Sequence, residues 1–111
     1  MKINFENITT KELQNFKGGE KYLSTKMFVD DNNKIMNAHL IPGASIGLHT
    51  HDGSSEIIFI TSGTGKVICD GITELLQKGD CHYCPEGSSH TLINDGDQNL
   101  CFVAVVPTHN K

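Results

Sequence analysis

The chain is expected to be all-β, a sandwich or barrel of short antiparallel strands. Two observations carry this: apolar runs of strand length recur along the sequence, and each is closed by a cluster of turn-forming residues. The strands are expected at about 22–30, 34–41, 45–51, 55–61, 65–70, 72–77, 80–85, 89–93 and 99–106. Between them stand DDNN, PG, DG, SG, DG, KGD, EG and DGDQ. The order reads as a meander. Only residues 9–16 depart from the strand pattern. Thr9 and Glu12 have capping-box spacing, Ile8 and Leu13 can form a hydrophobic staple, and Gly18-Gly19 would end the run, so one short N-terminal helical turn is expected there.

Length and charge limit the function classes. With 111 residues there is room for one core and no second, so the reading is a single domain over 1–111, with an N-terminal arm over about 1–21 and a barrel over about 22–107. The longest apolar runs, IIFI and FVAVV, are too short to span a bilayer, and MKINFENITTKEL lacks the apolar stretch of a secretion signal. A cytoplasmic location and no membrane partner are therefore expected. The net charge is −4, there is no arginine and the nine lysines are dispersed, which leaves no basic stripe for nucleic acid.

Chemistry concentrates between Gly43 and Asn94. GASIGLHTHDGSSEIIFITSG fits G-x5-H-x-H-x4-E-x6-G, and GDCHYCPEGSSHTLIN fits G-x5-P-x-G-x2-H-x3-N. His49 and His51 lie two apart, so on a strand both imidazoles face the same way and can converge on one ion. The intervening DGSS lets the chain reverse and return Glu56 beside them, while His90 must arrive from a segment far along the sequence. Three imidazoles and a carboxylate suit one divalent transition-metal ion, Fe, Mn, Ni, Zn or Cu, without choosing among them.

These two motifs together resemble the two-part signature of the cupin superfamily. The resemblance runs directly from Gly43 to Asn94, and it implies a double-stranded β-helix (jelly-roll) barrel with His49, His51, Glu56 and His90 as metal ligands at its mouth. It also implies an ion with open coordination positions. Glu56 is then either a permanent ligand or a catalytic base that detaches to take a proton. Gly43, Gly63, Gly79 and Gly87 have a turn role under any reading, as do Pro85 and Asn94.

The remaining titratable residues are read plainly. His39 and His109 are assigned no function. His82 can face the cavity and hydrogen-bond a ligand or substrate if strand phase permits. Cys81 and Cys84 are three apart, so on a strand they face opposite ways and neither chelate one ion together nor close a disulfide easily. Cys69 and Cys101, in apolar runs, are read like Cys84 as buried reduced thiols.

Strand phase extends the reading. If Glu56 points inward, so do Ile58 and Ile60, and Leu92 is in phase with His90, giving an aliphatic pocket wall and a small, partly apolar ligand. Ile57 and Phe59 then point outward and need a cover, either the N-terminal segment or a second subunit in a homodimer. Without arginine the chain lacks the bidentate fork that grips carboxylate or phosphate, which counts against sugar-phosphate, oxalate and thiol-dioxygenase chemistry. Three functions are consistent with this: a metal-dependent enzyme of dioxygenase, isomerase or lyase type; a non-catalytic module that binds or senses a small ligand or metal; and a structural dimer with an incidental ion.

Overall fold

A computed structural model describes residues 1–109, and its ten strands form two antiparallel sheets facing one another. The strands are β1 (Lys11–Gln14), β2 (Tyr22–Val29), β3 (Asn33–Leu40), β4 (Ser45–Thr50), β5 (Glu56–Ser62), β6 (Thr64–Cys69), β7 (Ile72–Gln77), β8 (Cys81–Cys84), β9 (Ser89–Ile93) and β10 (Leu100–Pro107). One sheet has the order β1-β2-β3-β10-β5-β8 and the other β4-β9-β6-β7. This is the jelly roll, and β2 to β10 fall on the nine expected segments with end shifts of at most one residue.

The pairing is not a meander. Chain neighbours pair only at β1–β2, β2–β3 and β6–β7, whereas β10 lies between β3 and β5, and β9 lies between β4 and β6. Crossing between sheets lets each strand bury one face against the other layer, which a flat meander of the same strands cannot do.

The helical turn expected at 9–16 is replaced by strand β1. Lys11 to Gln14 pair with Tyr22 to Thr25, Leu13 opposite Leu23, and 3-10 turns stand on either side at Phe5–Asn7 and Phe16–Gly18. Asn15 and Lys17 adopt left-handed backbone, with φ of 50° and 56°, so a helix could not have run through them. Edge pairing with β2 satisfies the backbone groups that a capping box would have served.

Alternation decides what lies between the sheets. Leu23, Met36, Leu40, Ile46, Ile58, Ile60, Val67, Leu92, Leu100 and Phe102 form one buried cluster. Burial of each Leu or Ile side chain contributes about 1.5–3 kcal/mol. On β5, Glu56, Ile58 and Ile60 are buried and Phe59 is 48% exposed, in the expected phase. The N-terminal arm does not cover that outer face, because β1 and β5 lie toward opposite ends of the sheet. Among the described residues no helix is long and apolar enough to cross a membrane.

Candidate metal centre

The four residues of the motif meet at one point between the sheets. His49 stands at the end of β4 and faces its register partner His90 on β9, while Glu56 opens β5 in the opposite sheet. A register shift between Ile46 and His49 re-aims the end of β4 toward the interior. His51 follows β4, held by its backbone to Ser88 and Gly87. The loop that returns the chain to Glu56 is fixed by Ser54, whose Oγ is 3.1 Å from His51 Nδ1, and by Ser55, bonded to His109 Nε2 at 2.8 Å.

The donor atoms converge closely. His49 Nε2 is 3.2 Å from His51 Nε2, which is 3.0 Å from His90 Nε2 and 3.1 Å from Glu56 Oε1; His90 Nε2 lies 2.9 Å from the same oxygen. The three rings fan around the point at 62° to 70° to one another. Donors about 2.1 Å from an ion stand about 3.0 Å apart at right angles and about 3.4 Å apart at the tetrahedral angle. The observed separations are ones that a single ion can bridge.

Hydrogen bonds on the far side of each ring prepare it to ligate. His49 Nδ1–H donates to Gly47 O at 2.7 Å, and since a carbonyl only accepts, the neutral ring presents a bare Nε2 to the centre. Burial lowers the His49 pKa and so favours that neutral form. His82 is buried on β8, and its Nε2 lies 2.9 Å from His90 Nδ1. It thus contacts the outer nitrogen of His90, which sets that ring's orientation. Burial of the Glu56 carboxyl would raise its pKa, but His51 and His90 hydrogen bonds and charge bring it down to about 2. This donor set, three imidazoles and one carboxylate, is suited to a divalent cation.

A cavity of about 480 Å³ opens beside the centre. His49, His51 and Glu56 form its floor, and Leu13, Phe16, Met27, Met36, Ile46 and Val106 supply apolar wall, with Lys17 and Lys34 among the lining. The expected wall residues Ile58, Ile60 and Leu92 point inward but are fully buried in the core. The wall comes instead from Met27 on β2, Lys34 and Met36 on β3, Ile46 on β4 and Val106 on β10, joined by Leu13, Phe16 and Lys17 where β1 and the turn at Phe16–Gly18 close over the first half of β4. Gly19 and Gly47 make that approach possible: a Cβ on Gly19 would strike Ser45 O, and one on Gly47 would strike Lys17 O. Neither is a fixed position of the two motifs, and in the sequence Gly18-Gly19 reads only as the end of a helical run.

The other expectations resolve simply. Gly43, Gly63, Gly79 and Gly87 all have φ between 83° and 95°. Asn94 is buried, donating to Leu40 O and Gln98 O and accepting from the Gly96 amide, a loop brace rather than a chemical group. Cys81 is exposed and Cys84 buried, as residues on opposite faces.

Comparison with known proteins agrees with the fold. The cupin domain family matches residues 36–106, so the chain belongs to the cupin family. It is similar to the oxalate-binding protein of Thermotoga maritima, 30% identical over 96% of this chain and 93% of that protein. The crystal structure of a predicted oxalate decarboxylase from Thermotoga maritima superposes with a TM-score of 0.91 at 28% identity, covering 97% of this chain and 99% of that one. A germin-like protein of Morus alba is 37% identical over 64% of this chain, which spans about a third of that protein (36%). The polyketide cyclase RemF from Streptomyces resistomycificus shares the fold, with a TM-score of 0.78 at 18% identity.

Proposed function

We propose that the chain holds one divalent transition-metal ion on His49, His51, Glu56 and His90 and binds a small carboxylate in the adjoining cavity. The observation that carries this is the cavity itself, whose floor is three of the four converging donors and whose wall sets Lys17 and Lys34 against one further carboxylate, Asp52, among six apolar side chains. The lack of arginine counted against an anionic ligand. Lys17 and Lys34 offset that, and the similarity to an oxalate-binding protein supports it further.

When bound there, the ion supplies a Lewis acid open toward the cavity. The chain's own residues do the rest. Gly47 and His82 orient the imidazoles, and the exposed Lys17 and Lys34 at the cavity wall balance part of the ligand's negative charge. Glu56 supplies the one carboxylate among the four converging donors and serves as a ligand. Calorimetric titration of oxalate into metal-loaded and chelator-stripped protein tests the reading. Binding is expected only to the loaded form, weakened about fivefold by Lys17→Met or Lys34→Met, on the order of 1 kcal/mol for one partly exposed charge. Equal binding to both forms, or to neither, overturns it.

A second reading, a metal-dependent dioxygenase, isomerase or lyase, is favoured by the ligand's direct access to the donor cluster from the cavity. Product formation on incubating the loaded protein with the bound carboxylate under oxygen separates turnover from binding alone. We also propose a homodimer through the outer face of β5 and β8, supported by exposed Phe59 and Tyr83 there and by β8 being a sheet edge.

A further inference from the structure

Behind His90, on the side away from the cavity, Cys69, His82 and Cys84 bring one donor atom each within 4.8 Å of one another. They come from both sheets. Cys69 ends β6 opposite His90, and Cys84 ends β8 opposite Glu56 with His82 two residues before it on the same buried face. The cysteine pair that spacing suggested, Cys81 and Cys84, diverges. The pair that meets is separated by fifteen positions and joined only by the closing of the sheets.

We propose that Cys69, His82 and Cys84 form a second metal site, for a soft divalent cation of the zinc type. Two thiolates and a neutral imidazole around such an ion give no net charge, which a largely buried position requires. Sulfurs about 2.3 Å from zinc stand about 3.8 Å apart at the tetrahedral angle, so donors already within 4.8 Å need only a small closing movement. Loading displaces the two thiol protons to solvent, and half-buried Cys69 provides the side from which the ion enters. This site adjoins the His/Glu centre, since the ring of His82 also contacts His90.

Cadmium titration of the full chain, reduced, stripped and handled without oxygen, tests this by native mass and by the ultraviolet sulfur-to-cadmium charge-transfer band. The unaltered chain is expected to take two ions and show the band. His49→Ala/His51→Ala should take one ion and keep the band, and Cys69→Ser/Cys84→Ser should take one ion and lose it. Cys69→Ser alone should also lose one ion, and its half-buried position makes it a variant that folds, checked by circular dichroism. Cys81→Ser should change nothing. No band in the unaltered chain, or a band surviving the paired cysteine change, overturns the site. Loss of the His/Glu ion alone leaves the band in place, so failure of the first centre is read separately.

Discussion

Gly19 and Gly47 meet backbone to backbone where the turn after β1 crosses β4, and no side chain fits at either position. The contact fixes the Gly47 carbonyl that accepts from His49 Nδ1, and so sets the ring that faces the centre. It also places Phe16 and Lys17 in the cavity wall.

Gly47→Ala should therefore affect both fold and site. Forcing a methyl against Lys17 O costs about 1–3 kcal/mol as overpacking does elsewhere, lowering the melting temperature by several degrees. Metal affinity should fall about tenfold or more as His49 loses its brace. Melting curves with and without metal, and a metal titration, check both.

His49→Ala with His51→Ala should abolish metal retention at the His/Glu centre while the chain stays folded. Cys84→Ala should leave that ion in place. Made in a Cys69→Ser background, which leaves the His/Glu centre to bind alone, both variants are read by elemental analysis after gel filtration, with circular dichroism for folding; an ion retained after the paired histidine change and lost after Cys84→Ala would reverse the assignment.

His82→Ala removes the partner of His90 Nδ1. The expected loss is about 10–100-fold in metal affinity at the His/Glu centre, with the jelly roll intact. His82→Gln, which can still reach His90 with an amide, should recover part of it. Competition against a chelator of known affinity measures each.

The metal-free chain should weaken in acid. His49 and His82 have pKa values lowered from 6.5, chiefly by burial, so the folded state takes up protons less readily than the unfolded chain; their contribution is complete above about pH 6.5 and declines below it. Glu56, lowered from 4.5 to about 2, contributes fully above 4.5 and is lost as pH falls toward 2. Chelator-treated samples melted across this range should show stability falling in two stages. A rise in melting temperature between pH 6.5 and 5 would contradict the signs.

Phe59→Lys, on the exposed face of β5, should convert a dimer to a monomer with little change in melting of the single chain. Light scattering of both proteins reads it directly, and a monomeric unaltered chain would remove the proposed interface.

Much of the fold was legible because its signals are local. Alternation placed Glu56, Ile58 and Ile60 on one face, glycines at positive φ marked the turns, and the i, i+2 spacing of His49 and His51 pointed both at one site. The turn expected at 9–16 failed because Leu13 finds Leu23 across a sheet edge, a partner no capping pattern reveals.

The sequence by itself determined where β2 to β10 lie and that His49 and His51 face one site, since both follow from backbone sterics and spacings of a few residues. Tertiary structure alone decided that β10 lies between β3 and β5, that Leu13, Phe16 and Lys17 join later strands in the cavity wall, and that Cys69 meets Cys84. Those depend on contacts between residues far apart in sequence, where many apolar strands are interchangeable in pattern and only burying all of them together selects one arrangement.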